Sequence, residues 1–106
     1  MHSSWVGTLA EDFDDPAAKV VGVEFVGPAV STTPSSSLAA IEPTNHANSP
    51  HLRWSETRRQ GWVLHDVRPD EWRADYRLVD DVTVEGAAVT TASSWSVGHG
   101  GALDAA

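Results

Sequence analysis

Two neighbouring segments alternate apolar and polar residues and are separated by turn residues. Between residues 71 and 79 the apolar side chains fall on every second position: Trp72, Ala74, Tyr76 and Leu78. The positions between them carry opposite charges, a pattern typical of an antiparallel strand with one solvated face. Pro69 and Asp70 suit the centre of a type I turn. The pattern therefore predicts a hairpin of Trp62–Arg68 with Glu71–Val79, and no long helix between residues 60 and 80.

A continuous apolar run lies earlier in the chain. Val20–Val26 is rich in β-branched residues and is followed by Gly27 and Pro28. A strand that is apolar on both faces is usually covered on both faces, so this run predicts a strand between other layers. We also expect His51–Ser55, which turns through residues 56–61, to form a third strand. Residues 89–97 predict a weaker one.

The remaining segments carry weaker signals. Thr8 and Glu11 have the spacing of a capping box, which predicts a turn or short helix before Pro16. Residues 31–48 are rich in Ser, Thr, Pro, Ala and Asn, so we expect an irregular loop with at most one helical turn around Leu38–Ile41. We expect residues 98–106, which follow a glycine-rich stretch, to be a disordered tail.

The predicted elements are mostly strands, and no long amphipathic helix is available to cover Val20–Val26. The chain therefore resembles one side of a larger sandwich. Val, Ile, Leu and Phe account for 22 of the 106 residues, a content at the lower border for a globular core. The absence of cysteine excludes disulfides and thiolate zinc sites. No apolar run approaches the roughly 20 residues of a membrane span, and no signal-peptide pattern opens the sequence.

The charge distribution argues against nucleic acid as a partner. The formal net charge is −8. Even the arginine-rich segment 51–79, with six Arg and five acidic residues, is nearly neutral. Nucleic-acid-binding domains usually present a basic face, so we predict that the chain does not bind nucleic acid.

Patterns for metal binding and catalysis are weak when the residues are taken alone. Asp12 and Asp14 imitate the start of a calcium loop, but Ala17 and Val23 stand where Gly and Glu are needed, so we reject that interpretation. His46 and His51 have a spacing compatible with two metal ligands, although histidines in loops are the commoner explanation. Ser3 and Ser4 lie next to His2 without a nucleophile-elbow motif. No P-loop, dinucleotide fingerprint or H-E-x-x-H motif is present.

Several motifs, in the same order along the chain, resemble the last part of PhoD-like alkaline phosphatases. They are His2-Ser3-Ser4-Trp5, Asp12-Phe13-Asp14-Asp15-Pro16, Val23-Glu24-Phe25-Val26-Gly27, Asn48-Ser49-Pro50-His51-Leu52-Arg53, Gly61-Trp62, Glu71-Trp72-Arg73-Ala74-Asp75-Tyr76-Arg77, Val82-Thr83 and Gly86-Ala87-Ala88-Val89. The resemblance extends over residues 2–97. It implies that residues 1–97 are the C-terminal part of a PhoD-like metallophosphatase domain.

The resemblance also implies a fold, a chemistry and candidate site residues. The fold is a mainly β fragment, an antiparallel hairpin with flanking strands, of a four-layer α/β/β/α sandwich. The family hydrolyses phosphate esters at a metal centre of iron and calcium. Of the family's Gly-Asp-Val-His motif only His2 remains, which implies a catalytic or metal-binding role for it in an intact enzyme. Asn48 and His51 correspond to an Asn-Pro-His motif and are candidate substrate-binding residues.

Two functions follow from these expectations. The first is a share in a metal-dependent phosphatase or phosphodiesterase, with phosphate esters as substrates. In this hypothesis the 106-residue chain alone is inactive and binds no metal, because most metal ligands are missing. The second is a stand-alone β binding module without catalysis. A third hypothesis is a product without function. The family is commonly exported, but the sequence carries no export signal, so localisation stays open.

Overall fold

The computed structural model describes residues 2–33 and 36–106 and consists mainly of β-strands. In chain order, the elements of these residues are β1 (Ser4–Ala10), β2 (Val20–Val26), α1 (Ser36–Asn48), β3 (Leu52–Glu56), β4 (Gly61–Val67), β5 (Glu71–Val79), β6 (Val89–Gly98) and β7 (Leu103–Ala105). The strands form a three-stranded sheet in the order β2-β1-β3 and a four-stranded sheet in the order β4-β5-β6-β7. All neighbouring strands are antiparallel. The expected mainly β fold with an antiparallel hairpin is confirmed.

The predicted hairpin forms one side of the four-stranded sheet, with β4 at the edge and β5 inside. β4 and β5 pair without interruption from Gly61 opposite Leu78 to Val67 opposite Trp72. Their turn is closed by the Arg68 amide, which donates to the Glu71 carbonyl at 2.8 Å. β6 pairs along the other side of β5, as expected from residues 89–97.

Residues 98–106 differ from the sequence prediction of a disordered tail. Residues 103–105 form β7, which pairs with β6 between Trp95 and Val97. Leu103 is buried in the core. The prediction was wrong for these residues because a single apolar side chain in a three-residue strand leaves no periodic signal.

The first strand of the three-stranded sheet also corrects a prediction. Thr8 lies within β1 and pairs with Val23 of β2, so no helix begins there, and the turn before Pro16 starts only after β1, at residues 13–14. β1 is the central strand and supplies hydrogen bonds on both edges. Pairing with two neighbours outweighs the local capping-box preference of Thr8 and Glu11.

The two outer strands of this sheet have different outcomes. β3 confirms the strand expected at residues 51–55, and it pairs with β1 and not with the hairpin. β2 was expected between covering layers. It is an edge strand with no buried residue, and Val21 is 61% exposed. The described residues therefore leave the side of the molecule formed by β2 uncovered.

The core lies between the two sheets. Its buried side chains are Val6, Tyr76, Trp95 and Leu103. The Tyr76 hydroxyl donates a 2.8 Å hydrogen bond to the Trp5 carbonyl and thereby joins β5 to β1. Packing from both sheets around one aromatic residue gives the described part of the chain its own apolar interior.

Helix α1 replaces most of the irregular loop expected between residues 31 and 48. It spans Ser36–Asn48 and contains Pro43, and it has no buried residue. Its partly buried positions form one helical face: Leu38, Ala39, Glu42, Asn45 and His46. This face is mostly polar, so the helix carries little of the apolar periodicity from which sequence reasoning recognises a helix.

Helix α1 packs on the face of the three-stranded sheet that points away from the core. The His46 ring lies 5.8 Å from the Trp5 ring, whereas Trp54 on the opposite face contacts Tyr76 at 4.8 Å between ring centroids. The described residues thus form three layers in the order helix, three-stranded sheet, four-stranded sheet.

Candidate functional site

His2 lies directly before the central strand of the three-stranded sheet, and its side chain is exposed. The next two residues are buried, with Ser3 at 1% and Ser4 at 0% exposure. The Trp5 indole nitrogen donates to the Ser3 hydroxyl at 2.7 Å. The chain is therefore fixed from Ser3 onwards, and His2 is presented to solvent from a rigid support.

Ser4 adds an unusual polar group beside His2. Its hydroxyl is buried and has no hydrogen-bond partner among the described residues. An unsatisfied buried hydroxyl costs about 1–3 kcal/mol relative to a satisfied one. A group of this kind at the start of β1 is available to a hydrogen-bonding partner from outside the described residues.

Asn48 and His51 lie at the other end of β1. Asn48 is the last residue of α1, and His51 follows three positions later. The His51 carbonyl accepts a 3.0 Å hydrogen bond from the Thr8 amide, which fixes the segment against β1. The His51 ring meets the Phe13 ring edge-on, with centroids 4.8 Å apart.

The structure therefore does not bring His2 together with Asn48 and His51. Ser4 and Thr8 are four residues apart along β1, and an extended strand separates such residues by about 13 Å. His2 lies beyond the Ser4 end, and His51 lies beside Thr8. Sequence reasoning could not foresee this separation, because it did not identify β1 as a strand.

A cleft of about 250 Å³ adjoins His51 and is lined partly by Asp12 and Asp15. Both carboxylates are engaged by their own loop. Asp12 accepts from the Asp14 amide and Asp15 from the Ala17 amide, each at 2.9 Å. These contacts agree with the interpretation of this segment as an acidic turn.

Four polar side chains link α1 to β3 near the Ser4 end of β1. We call this group the α1–β3 polar cluster: Glu42, His46, Ser55 and Thr57. Thr57 donates to Glu42 Oε2 at 2.8 Å, and Ser55 donates to Glu42 Oε1. His46 Nε2 lies 2.7 Å from the Ser55 hydroxyl. Since the only Ser55 proton is given to Glu42, His46 Nε2 is the donor in its contact with Ser55.

Sequence reasoning weighed His46 only as a metal ligand or loop residue and missed the other members of the cluster. The signal was present as the four-residue spacing of Glu42 and His46, which places them on one helix face. It was hidden because Pro43 lies between them and the surrounding residues disfavour a helix.

The described residues do not fit a metal centre on their own. They contain no group of three or more His, Cys, Asp or Glu side chains arranged to hold a metal ion. His2 therefore belongs to no such group of three within the described part of the chain.

No helix among the described residues is long and apolar enough to span a membrane.

The fold of the described residues is that of part of a known class of phosphatase. The family model for PhoD-like phosphatases matches residues 1–76, and the chain belongs to this family. Over 96 residues the chain is 32% identical to alkaline phosphatase D of Bacillus subtilis (strain 168), which corresponds to 90% of this chain and 16% of that enzyme. A solved structure of PhoD matches 98% of this chain and 20% of its own length, with a TM-score of 0.80 and 29% identity. The predicted resemblance is confirmed, and the chain spans a fifth or less of these relatives.

Proposed function

We propose that this chain contributes the segment around β1 to a phosphatase that hydrolyses phosphate esters. The observation that carries the proposal is the position of His2, exposed on a buried and hydrogen-bonded support in a chain of the PhoD-like phosphatase family. A rigidly presented imidazole is suited to transition-state contact because little ordering is needed at the moment of reaction.

In this proposal the His2 imidazole donates a hydrogen bond to a phosphoryl oxygen of the ester. A neutral imidazole donates through one ring nitrogen, and such a bond strengthens as negative charge develops on the oxygen. The iron and calcium implied by the family need ligands from outside the described residues, and no step here depends on them. Asn48 and His51, at the other end of β1, are assigned to a part of the ester distant from the phosphoryl group.

The proposal is tested in a hybrid protein in which this chain replaces the matched segment of the Bacillus subtilis alkaline phosphatase D. Replacing His2 by Ala should lower hydrolysis of p-nitrophenyl phosphate by about 10²-fold or more, the usual scale for one transition-state contact. Asn48→Ala and His51→Ala should raise KM and leave kcat unchanged for a long ester.

The matched control is His99→Ala, which removes an exposed histidine between glycines far along the chain. This variant should retain full activity. Equal activity of the His2→Ala and unsubstituted hybrid proteins would refute the assignment of His2. The 106-residue chain by itself should hydrolyse the same ester no faster than buffer, with or without added calcium and iron.

A second function, a stand-alone β binding module, is favoured by one observation. Val6, Tyr76 and Trp95 pack together in a buried apolar cluster formed by the described residues. A chain with its own core can fold without further segments. A cooperative thermal transition in circular dichroism, with no gain of activity in the hybrid protein, would support the module over the phosphatase segment.

A further inference from the structure

The outer edge of β2 is apolar and unpaired in the described part of the chain. β2 is the first strand in the order β2-β1-β3, so only its β1 side carries strand hydrogen bonds. Val20, Val21 and Val26 are 47%, 61% and 37% exposed. The pairing of β2 with β1 is regular from Gly22 to Val26, which leaves a straight stretch of backbone facing outwards.

Natural proteins usually protect such an edge, and the opposite edge of the same sheet shows how. β3 carries the exposed Arg53, and its last residue, Glu56, forms a 3.1 Å ion pair with Arg59. Charged side chains on an edge strand discourage pairing with another strand. β2 has one charged residue, Glu24, among seven. The two edges therefore differ in a way that favours strand pairing only at β2.

Openings lie on both faces of β2. On the helix side, a groove of about 380 Å³ runs between β2 and the end of α1, with Trp5, Val26 and Leu52 as its apolar lining. On the core side, a gap of about 370 Å³ separates β2 from the four-stranded sheet, between Val21, Val23, Trp72 and Val97. We call the edge, the groove and the gap together the β2 docking surface.

We propose that the β2 docking surface binds a β-strand, with its flanking apolar side chains, from the part of a PhoD-like phosphatase domain that this chain does not span. The chain corresponds to 16% of the alkaline phosphatase D and 20% of the solved PhoD chain that it matches, so most of such a domain is available to supply the strand. The added strand hydrogen-bonds to the backbone of Gly22–Val26, and its two faces fill the groove and the gap. This inference rests on the proposed function, in which the chain acts with the remainder of a phosphatase.

A second copy of this chain is the less favourable occupant. Each copy carries a formal net charge of −8, and pairing of two β2 edges would bring both Glu24 side chains to one interface. Like charges at an interface oppose association. A strand of a different sequence need not place a carboxylate beside Glu24.

The first experiment measures binding of the missing part. The affinity-tagged chain is co-expressed with the Bacillus subtilis alkaline phosphatase D from which the matched segment has been removed. The truncated phosphatase should be recovered with the chain. Val21→Lys and Val26→Lys should lower its recovery by at least about tenfold, because an unpaired ammonium is costly to bury in the gap or the groove.

Val84→Lys is the matched control. Val84 is 55% exposed, and it lies in the connection between β5 and β6. Recovery of the truncated phosphatase should be unchanged in this variant. Recovery that is equal for all variants, or that is absent with the unsubstituted chain although the truncated phosphatase is folded, would overturn the proposal. So would a dimer of the isolated chain, seen by sedimentation equilibrium, that Val21→Lys abolishes, because a second copy would then be the occupant.

A second experiment covers the case in which the truncated phosphatase does not fold alone. Val21→Lys should lower the thermal midpoint of the hybrid protein described above but leave that of the isolated chain unchanged. Equal shifts in both proteins would contradict docking. The His2 assignment is tested separately, by the activity of the hybrid protein. If Val21→Lys destabilises the hybrid protein but His2→Ala leaves its activity unchanged, the docking proposal stands and the proposed function is refuted.

Discussion

β5, in the four-stranded sheet, has three fully buried side chains, Ala74, Tyr76 and Leu78, whereas β2, at the edge of the three-stranded sheet, has none. The contacts of the two regions also differ in kind. The four-stranded sheet is held by apolar packing around β5, while α1 is linked to the three-stranded sheet through the α1–β3 polar cluster. The comparison indicates that stability is concentrated in the four-stranded sheet and that the β1–β3 region is where other segments attach.

The largest loss of stability is expected from a substitution of Gly61, the residue at which β4 begins. A Cβ at this position would lie 2.0 Å from the Arg77 carbonyl oxygen, so no side chain fits without moving the β5 backbone. Gly61→Ala should lower the free energy of unfolding by about 4 kcal/mol or more, the range reserved for severe backbone conflicts. Urea unfolding measures the loss.

Gly98→Ala is the control, because nothing lies within 4 Å of a Cβ placed there. It should change stability little. A Gly61→Ala protein as stable as the Gly98→Ala protein would show that the pairing of β4 with β5 is looser than described.

The next effect tests whether β7 belongs to the stable region. Leu103→Ala should cost about 2–4 kcal/mol, because it removes a buried side chain from the core. Leu64→Ala removes a leucine that is 55% exposed on β4 and should cost much less. The thermal midpoints of the two variants measure the difference in stability between them. If Leu103→Ala leaves the thermal midpoint unchanged, residues 103–105 do not pack in the core, and the sequence prediction of a disordered tail is correct.

Tyr76 joins the two regions, and its removal should have a smaller effect that depends on pH. Tyr76→Phe loses the hydrogen bond to the Trp5 carbonyl and should cost about 1 kcal/mol at neutral pH. Burial, with a smaller contribution from the charge of Glu24, raises the pKa of Tyr76 well above its ordinary value. The folded state therefore retains the phenolic proton more strongly than the unfolded chain does.

The sign of this pH dependence follows from linkage. The contribution of Tyr76 is fully present below pH of about 10, the ordinary tyrosine pKa, and is lost as the pH rises towards the raised value. Alkaline destabilisation should consequently be weaker in Tyr76→Phe. The chain has a single tyrosine, so tyrosinate absorbance reports this group alone. Ionisation at an ordinary pKa in the folded chain would contradict the burial.

The smallest effect concerns the polar attachment of α1. Ser55→Ala removes the contacts of Ser55 with Glu42 and His46 but leaves Thr57 bonded to Glu42. We expect a loss of about 1 kcal/mol, with faster amide hydrogen exchange in α1 and unchanged exchange in β5. Ser96→Ala on β6 is the control and should leave exchange in α1 unaltered. Equal acceleration in α1 and β5 would mean that the two regions unfold together.

The sequence patterns were informative where each strand carried its own periodicity. The alternation around Trp72 and Tyr76, with Pro69 and Asp70 at the turn, identified the hairpin from local information. α1 could not be recognised in this way, since Pro43 and a polar inner face disfavour an isolated helix. Its stability depends on Ser55 and Thr57 of a later segment.

The candidate site shows the same limit. His2 was singled out from the motif His2-Ser3-Ser4-Trp5, and the structure shows that the next two residues are buried. Its distance from His51 depends on β1, whose apolar residues occur in adjacent pairs and do not alternate with polar ones, so no strand signal is present in the sequence. The α1–β3 polar cluster depends on a helix and a strand meeting, which no spacing within one segment reveals.

The hydrogen bond from Tyr76 to the Trp5 carbonyl spans 71 positions of the chain and has a consequence for the order of folding. Ribosomes add about 5–20 residues per second, so Trp5 is made roughly 4–14 seconds before its partner. During that interval β1 has no access to β5 or to the core that β5 completes. Non-local contacts of this kind also slow folding, because the intervening chain must be ordered before they form. Newly made β1 and β2 can pair with each other but still lack the four-stranded sheet, so they are the segments of this chain that most need protection from aggregation during synthesis.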